Sequence, residues 1–356
     1  MTARKDLFGY SLAALTEEML AYGESKYRAR QLFSWIYEKN VLDFDSMTDI
    51  SKSFREVLKR DFVLSLPKIY REQDAKDGTV KLLLELEDGA KVETVLMRYN
   101  YGNVACVSSQ VGCNMGCQFC ASGILKRERN LTAGEMVGEV LSLNKILSSS
   151  SERITHVVVM GTGEPFDNYD AVMEFVRIMN EQRGLAIGAR HITVSTCGIV
   201  PKIRQYGLEG LQINLAISLH APNDQIRNQI MPISKAYPID ELMDAVKDYE
   251  DNAGRRVTFE YILIQGLNDS PKHAEELASL IKAHGIYAYV NLIPLNPVKE
   301  KPYQRPSENA IHLFHDRLMK CGITTTIRKE FGTDIDAACG QLRVKVLKEK
   351  ANGKEI

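Results

Sequence analysis

The sequence predicts an α/β protein, a partial (β/α)6 TIM-like barrel preceded by a small helical domain and a connecting β-meander. Three observations predict this fold. Apolar residues recur at helical spacings up to Leu64, alternate with polar residues from Lys68 to Tyr99, and then group into strand-like and helix-like segments in turn. Such alternation is typical of parallel strands with right-handed crossovers, and about six units suit a partial barrel better than an open sheet.

Composition indicates a soluble globular protein. The 356 residues are 44% hydrophobic and 26% charged, and 45 Lys and Arg against 46 Asp and Glu give a formal net charge of -1. This balance predicts no polyanion partner and excludes none, because binding depends on how charge is distributed over a surface. The odd number of cysteines, seven, predicts a reducing, cytoplasmic location, and neither a signal peptide nor a membrane span is predicted.

Residues 1–65 are predicted to form several short helices. Basic residues interleave with aromatic ones there, a mixture of charge and stacking surface that suits RNA. A helical cap with solvated charges and core aromatic residues is the simpler interpretation, because any amphipathic helix shows this pattern. The basic residues are Lys26, Arg28, Arg30 and Lys39, and the aromatic residues are Tyr27, Phe33, Trp35 and Tyr37.

Residues 66–100 are predicted to form an antiparallel β-meander that links the helical domain to the barrel. Two dipeptides, Asp77-Gly78 and Asp88-Gly89, separate stretches of alternating polarity. Asp-Gly between such stretches is a strong signal for a tight hairpin turn, so two successive hairpins are expected.

Residues 101–345 are predicted to form the barrel, and residues 346–356 a charged tail, with fraying expected from Lys345 onward. The clearest helical patterns cover 133–147, 170–180, 239–248 and 271–284. The strand candidates are 104–109, 156–160, 191–196, 213–218, 257–264, 289–293 and 324–328.

Unusual sequences lie where successive predicted strands end. In (β/α) barrels the carboxyl ends of the strands form the face where ligands and catalytic groups gather, so these motifs are expected to meet at one mouth. They are the loop 112–123, Gly161-Thr162-Gly163-Glu164-Pro165, Ser195-Thr196-Cys197-Gly198, Ser218-Leu219-His220 and Pro294-Leu295-Asn296.

Cys113, Cys117 and Cys120 carry the strongest chemical signal, a C-x3-C-x2-C spacing. Structural zinc takes four protein ligands, whereas three thiolates can hold a [4Fe-4S] cluster and leave one iron open to a ligand that is not protein. We favour the cluster. A zinc site completed by a distant residue and unliganded thiols are the alternatives.

The glycine-rich turn and two polar strand ends are weaker signals. Glu164 can accept a hydrogen bond from an ammonium group, while Pro165 rules out a dinucleotide fingerprint because that motif continues into a helix after its glycines. His220 is either a ligand contact or a packed histidine, and the same holds for Asn296.

Two scattered thiols complete the candidates. Cys339 lies in a glycine-flanked acidic loop, and Cys106 lies in the strand that leads to the cysteine loop. A buried cysteine is ordinarily a small hydrophobic residue. If these two thiols approach each other, they can form a transient disulfide by thiolate exchange.

Four longer segments connect the chain to a known family. The C-x3-C-x2-C loop after a strand looks like the signature of the radical S-adenosylmethionine (SAM) superfamily. Taken together, the four segments resemble the RlmN/Cfr family of adenosine methyltransferases, and the resemblance covers essentially the whole chain. They read SSQVGCNMGC at 108–117, MGTGEPFDNY at 160–169, AISLHAP at 216–222 and DIDAACGQL at 334–342.

This resemblance implies an enzyme that methylates carbon 2 of an adenosine in 23S ribosomal RNA, at the peptidyl transferase centre, and of an adenosine in the tRNA anticodon loop. That aromatic carbon is not nucleophilic, so the family uses a [4Fe-4S] cluster and two SAM molecules per turnover. The first SAM methylates the cysteine that matches Cys339. The second is cleaved to a 5′-deoxyadenosyl radical, which converts the methyl group into a methylene radical that adds to adenine. A separate electron donor is expected, and so is a monomer.

The resemblance also implies roles for individual residues. The cysteine that matches Cys106 resolves the protein–RNA adduct through a transient disulfide with Cys339, and the residue that matches Glu93 accepts a proton. The amino-terminal helices resemble the family's RNA-binding domain. Cys113, Cys117 and Cys120 match its cluster ligands, and Gly163, Glu164, Ser195, Ser218, Leu219, His220 and Asn296 match its SAM contacts.

Two other functions compete with carbon-2 methylation. Most signature segments look like the housekeeping branch, but TIRKEFG at 326–332 departs toward the resistance branch, so a Cfr-like carbon-8 adenosine methyltransferase is the alternative. A non-enzymatic zinc-containing RNA-binding protein is the more distant alternative, suggested by the cysteine loop and the interleaved basic and aromatic residues.

Overall fold

The amino-terminal part of the chain is helical. In the computed structural model, which describes residues 4–298, 300–336 and 340–351, serine side chains cap the first and third helices by accepting hydrogen bonds from backbone N–H groups three residues later. The elements are β1 (Lys5–Asp6), α1 (Leu12–Ala21), α2 (Lys26–Tyr37), α3 (Lys52–Asp61) and β2 (Phe62–Val63), and the two short strands pair in parallel.

Helix α2 shows how the interleaved basic and aromatic residues are used. Phe33 and Tyr37 are buried in the hydrophobic core, and their rings contact each other at 4.4 Å between centroids. Trp35 is half-buried under the Lys39 ammonium group. Tyr27 is different, with 63% of its surface exposed. The simpler interpretation therefore holds for Phe33 and Tyr37, whereas Tyr27 remains free to contact a partner.

A ten-stranded sheet organises the rest of the chain. Its spatial order is β14-β13-β12-β11-β10-β9-β6-β5-β4-β3, in which β6 and β9 to β14 are parallel and β3 to β5 are antiparallel. The predicted parallel barrel strands are thus confirmed. The strands are β3 (Lys68–Asp74), β4 (Val80–Glu85), β5 (Lys91–Tyr99), β6 (Gly102–Cys106), β7 (Gln110–Val111), β8 (Arg129–Asn130), β9 (Ile154–Val159), β10 (Ile192–Thr196), β11 (Asn214–Ser218), β12 (Val257–Leu263), β13 (Ala288–Pro294) and β14 (Thr325–Ile327), of which β7 and β8 form a separate antiparallel pair.

Helices connect the parallel strands, as the alternating pattern predicts. The first of them begins with a capping box, in which Thr132 and Glu135 each bond the other's backbone N–H group. The helices are α4 (Ala133–Leu147), α5 (Tyr169–Asn180), α6 (Val200–Gly207), α7 (Asp224–Ile230), α8 (Ile239–Ala253), α9 (Pro271–Ala283), α10 (Glu308–Lys320) and α11 (Gln341–Ala351).

The meander is continuous with the barrel sheet. Both Asp-Gly turns form as predicted, with the glycines at positive φ, +81° for Gly78 and +82° for Gly89. Strand β5 then pairs antiparallel with β6, the strand that leads into the cysteine loop. Residues 66–100, expected to be a linker, therefore contribute strands β3 to β5 to the same sheet as the barrel strands. Side chains of β5 lie on the same face of this sheet as those of β6.

The charged segment from Lys345 is helical rather than frayed. Helix α11 runs through Ala351, and Leu342 and Val346 are buried against Leu83 of β4. The expectation of a fraying tail is therefore wrong for residues 345–351, because burial of these apolar side chains stabilises the helix. The sequence alone does not show which surface they pack against. No helix in the described ranges is long and apolar enough to cross a membrane.

Candidate active site

The three cysteines of the predicted cluster loop line one cavity at the carboxyl ends of the barrel strands. The cavity has a volume of about 230 Å³. Four of the five strand-end motifs contribute to its lining as predicted, because parallel strands end at the same edge of the sheet. Pro294-Leu295-Asn296 does not, and the preceding Ile293 lines the cavity instead. Other residues that line it are Met115, Phe119, Ser122, Met160, Gly161, Gly163, Glu164, Ser195, Ser218, His220, Glu260, Ile262 and Arg328.

Backbone hydrogen bonds hold the cysteine loop in shape. The N–H of Cys113 donates to the Leu125 carbonyl at 3.1 Å, and the N–H of Cys120 donates to the Cys117 carbonyl at 3.2 Å. Gly112 lies at φ +80°, and a Cβ at this position would overlap the carbonyl of Lys126. The loop therefore closes on itself only if residue 112 is glycine.

The environment of the cysteine thiols favours a role as metal ligands over a role as free nucleophiles. Burial raises the pKa of Cys113 to about 11 and raises the pKa of Cys117 further, so neither thiol ionises readily without a cation beside it. In the described part of the chain, no three His, Cys, Asp or Glu side chains converge closely enough to hold a single metal ion. The three thiols line the same cavity and have the ligand chemistry of an iron–sulfur cluster.

The turn after β9 packs against the loop that precedes the cysteines. Gly163 lies at φ +113°, and a Cβ there would be 2.6 Å from the hydroxyl of Ser109. The glycine is needed for this close loop packing, which the sequence alone does not reveal. The neighbouring Glu164 is buried, and its carboxylate accepts hydrogen bonds from the N–H groups of Phe166 at 3.0 Å and Cys197 at 2.8 Å. Burial raises the pKa of Glu164, so a cationic ligand in the cavity would stabilise its charged form.

His220 is both a packed histidine and a cavity residue. Its backbone is in the left-handed region at φ +60°, its Nδ1 accepts a hydrogen bond from the N–H of Ile262 at 3.0 Å, and its ring meets that of Phe119 edge-on. The acceptor role of Nδ1 places the proton on Nε2. Burial lowers the pKa of His220 to about 3, which makes it a neutral donor rather than a base at physiological pH.

The remaining residues matched to SAM contacts divide into two groups. Ser195 and Ser218 line the cavity together with Gly163, Glu164 and His220. Leu219 is buried in the core and Asn296 is exposed, and neither lines the cavity. For these two residues the contact stays a prediction.

Glu93 and Cys106 share the interior face of adjacent strands. Val95 of β5 pairs with Cys106 of β6, and Glu93 precedes Val95 by two residues, so all three side chains point to the same side of the sheet. Cys106 is buried beside Met160, which lines the cavity. Cys106 is thus one packed side chain away from the cavity lining, and Glu93 lies on the same face of the sheet.

Cys339 lies outside the described residues, but both sides of it are described. Gly340 has φ +76°, and a Cβ at this position would lie 2.8 Å from the backbone nitrogen of Ser122. Gly340 also donates its N–H to Glu93 at 2.7 Å. The residue that follows Cys339 thus contacts both the cysteine loop and Glu93.

Sequence reasoning missed two charged residues that line the cavity, Glu260 and Arg328, and the buried Lys81 on β4. Glu260 accepts a hydrogen bond from the Asn291 side chain at 2.8 Å, and burial raises its pKa. Glu260 and Arg328 line the cavity, while Lys81 pairs with Glu93. Lys81 and Glu260 are the charged residues within otherwise apolar stretches of β4 and β12. A charged residue in such a stretch is rarely buried without a partner, and this pattern could have identified them from the sequence.

We expect Gly112→Ala to lower the iron retained after anaerobic reconstitution to less than about a third of the wild-type amount, because the added methyl group overlaps the Lys126 carbonyl. Gly116→Ala is the matched control. Gly116 lies in the same loop at φ +70°, but its nearest atom would be 3.6 Å away, so this variant carries the φ strain without the overlap. Equal iron loss in both variants would contradict the steric explanation.

We expect His220 to stay neutral from pH 5.5 to 8.5, because a pKa lowered to about 3 leaves it deprotonated throughout this range. The rate of 5′-deoxyadenosine formation in His220→Asn should fall roughly tenfold from the loss of a buried hydrogen bond, with an unchanged pH profile. Asparagine is chosen because it tolerates positive φ. An acidic limb near pH 6.5 that is present in the wild type and absent in the variant would show that His220 titrates.

Comparisons with known proteins identify the family. The family model of the Radical SAM superfamily matches residues 107–281, and that of the ribosomal RNA large subunit methyltransferase N-terminal domain matches residues 5–64. The "probable dual-specificity RNA methyltransferase RlmN" of Spiroplasma citri is 54% identical over 95% of this chain and 97% of its own length. The protein of the same description from Enterococcus faecalis is 52% identical over 98% of each chain.

A solved structure supports the same assignment. The crystal structure of a radical SAM methyltransferase from Sphaerobacter thermophilus is 47% identical, has a TM-score of 0.89, and covers 95% of this chain and 98% of its own. Radical SAM enzymes bind a [4Fe-4S] cluster and SAM, which the three cavity thiols and the buried Glu164 fit. The chain belongs to the RlmN family of radical SAM RNA methyltransferases.

Proposed function

We propose that this enzyme methylates carbon 2 of adenosine in 23S ribosomal RNA, at the peptidyl transferase centre, and in the tRNA anticodon loop, with Cys339 carrying the methyl carbon. Two findings support an RNA substrate: the match to the ribosomal RNA methyltransferase domain over residues 5–64 and the dual-specificity description of the relatives. The full-length similarity to RlmN proteins favours carbon 2 over the Cfr-like carbon-8 alternative and over a zinc-containing binding protein.

The packing of Gly340 on the cysteine loop is the observation that carries the proposal. There is no room for a side chain between Gly340 and Ser122, so the chain at residue 340 touches the loop that holds the cluster ligands. Cys339 is the preceding residue. The residue that follows the proposed methyl carrier is therefore packed against the loop whose cysteines line the cavity.

Cluster and SAM would be held by different residues that line the same cavity. Cys113, Cys117 and Cys120 would ligate the cluster, and the buried carboxylate of Glu164 would pair with a cationic group of SAM. When bound and reduced by an electron donor, this pair of cofactors supplies a carbon radical that abstracts hydrogen. Apolar residues such as Phe119 and Ile262 would exclude water from it.

Two SAM molecules per turnover follow from the use of Cys339, since one donates the methyl group and the other is cleaved. Glu93 would accept the proton released from the adenine ring, and Cys106 would release the RNA by forming a disulfide with Cys339. Two observations support these roles: both side chains lie on one face of the sheet, and Cys106 packs beside Met160, which lines the cavity.

Mass spectrometry of RNA fragments tests the position of methylation. Ribosomal and transfer RNA from a strain that lacks the endogenous enzyme should gain 2-methyladenosine after incubation with this protein, reductant and SAM. Recovery of 8-methyladenosine alone would overturn the carbon-2 proposal in favour of the carbon-8 alternative. Methylation of neither RNA by cluster-loaded protein would overturn the proposed function.

We expect Cys106→Ala to accumulate a covalent protein–RNA adduct, because the thiol proposed to resolve it is missing. Multiple-turnover methylation should fall by at least about a hundredfold, while a first adduct still forms. Denaturing gel electrophoresis with labelled RNA detects the adduct. Cys321→Ala is the control, since Cys321 lies at the end of α10 and does not line the cavity. Normal turnover of Cys106→Ala without an adduct would refute the resolving role.

A further inference from the structure

A buried ion pair between β4 and β5 contacts both sides of the segment that contains Cys339. The Nζ of Lys81 lies 2.8 Å from a carboxylate oxygen of Glu93, and the two side chains are 0% and 4% exposed. Lys81 also donates to the backbone carbonyl of Asp336 at 2.6 Å. Glu93 accepts hydrogen bonds from the N–H groups of Gly340 at 2.7 Å and Arg343 at 2.5 Å.

These contacts combine charge with backbone geometry. Gly340 directly precedes α11 and Arg343 lies in its first turn, where backbone N–H groups have no partners within the helix and carry partial positive charge. The Glu93 carboxylate satisfies two of them, and the Lys81 ammonium group satisfies a carbonyl on the other side of residues 337–339. The Lys81–Glu93 pair thus attaches both Asp336 and the start of α11 to strands β4 and β5.

Removing either charge would leave the other buried without its partner. A buried ion pair is a costly way to gain stability alone, because both charges lose their hydration. Here the ion pair fixes the position of the backbone. The Lys81 ammonium group bonds to the carbonyl of Asp336, and the Glu93 carboxylate bonds to N–H groups at the start of α11. Side-chain contacts reinforce one end, as Asp336 accepts from Gln73 at 3.1 Å and from Lys345 at 2.9 Å.

We propose that Lys81 is a positioning residue for RNA methylation, which, together with Glu93, fixes Asp336 and the start of α11, the two described ends between which Cys339 lies in the sequence. The proposal rests on the proposed function in assigning Cys339 as the methyl carrier. It adds a residue that touches neither cofactor nor RNA. It also gives Glu93 a second role, since its carboxylate organises α11 besides being the proposed proton acceptor.

Lys81→Met tests the proposal, because methionine keeps the length of the side chain and removes the charge. Lys91→Met is the matched control: Lys91 pairs with Glu85 at 2.6 Å across the same two strands and donates to the Gly89 carbonyl at 3.5 Å, and both partners lie outside the segment 336–343. Lys81→Arg keeps the positive charge and serves as the conservative rescue. The reconstituted enzymes would be compared by amide hydrogen exchange and by product analysis.

In Lys81→Met we expect amide exchange in the peptide containing residues 340–343 to become at least about tenfold faster, with wild-type rates in Lys91→Met and partial recovery in Lys81→Arg. Formation of 5′-deoxyadenosine should stay within about threefold of wild type, while RNA methylation falls by more than about tenfold. Unchanged exchange in Lys81→Met would overturn the proposal, whatever happens to methylation. Faster exchange with full RNA methylation would overturn the functional part of it.

A second variant keeps the test decisive if Lys81→Met does not fold. Lys81→Met combined with Glu93→Gln removes both charges, so no uncompensated carboxylate is left inside, and the same exchange measurement applies. Exchange at residues 340–343 that is faster in this double variant than in Glu93→Gln alone supports the proposal, and equal exchange in the two refutes it. The exchange result does not depend on Cys339, so failure of the proposed function, seen as full RNA methylation by Cys339→Ala, is distinguishable from failure of the positioning role.

Discussion

Cys117→Ala is expected to abolish both SAM cleavage and RNA methylation, with each rate falling below about one thousandth of the wild-type value. Cys117 lies on the cavity wall between the other two thiols in sequence, and two thiolates cannot replace three as ligands of a [4Fe-4S] cluster. Iron analysis and the electron paramagnetic resonance spectrum of the reduced protein should show loss of the cluster. The 5′-deoxyadenosine produced from SAM measures the first activity.

The thiol of Cys321 provides the comparison for this variant. Cys321 caps the end of α10, outside the cavity, so Cys321→Ala should retain iron, SAM cleavage and RNA methylation. If Cys117→Ala instead kept about four irons per chain and its SAM cleavage, the assignment of the cluster ligands would be wrong. A single bound zinc in wild-type protein after anaerobic reconstitution would contradict the cluster itself.

Cys339→Ala is expected to separate the two activities. RNA methylation should again fall below about one thousandth of the wild-type rate, because no sulfur remains to carry the methyl carbon. SAM cleavage should persist within about tenfold, since the three cluster thiols, Glu164 and the cavity are untouched by the substitution. Liquid chromatography of 5′-deoxyadenosine and of methylated nucleosides from the same reaction measures both rates.

Comparison with Cys106→Ala sharpens the interpretation of Cys339→Ala. Both variants lose multiple-turnover methylation, but only the Cys106 variant should trap RNA covalently, because its Cys339 still forms the adduct. A trapped adduct in Cys339→Ala would show that another residue carries the carbon. Wild-type methylation by Cys339→Ala would remove Cys339 from the reaction.

Most of the barrel and its cavity could be predicted from the sequence because local patterns determine them. Alternation of strands and helices predicts the parallel sheet, and the rule that such strands end at one edge brings Cys113, Glu164, Ser195 and His220 together. The Asp-Gly hairpins are equally local. In each case the information lies within a few residues of the element that it specifies.

The parts that escaped prediction depend on contacts between distant segments. Helix α11 is marginal by itself and becomes stable by burying Leu342 and Val346 on β4, a surface that lies far away in sequence. The burial of Lys81 could likewise not be predicted, because its partners Glu93 and Asp336 lie in other segments of the chain. The role of Gly163 in loop packing follows from the neighbouring Ser109, which no spacing rule identifies.

Isotope transfer from Cys339 to RNA tests the central claim most directly. The enzyme would first be incubated with SAM that carries a carbon-13 methyl group, freed of unbound SAM, and then given RNA, reductant and unlabelled SAM for one turnover. Mass spectrometry should find carbon-13 on the Cys339 peptide before the reaction, and then carbon-13 in the 2-methyladenosine that is formed. An RNA methyl group that contains only unlabelled carbon, with the label still on Cys339, would contradict the claim.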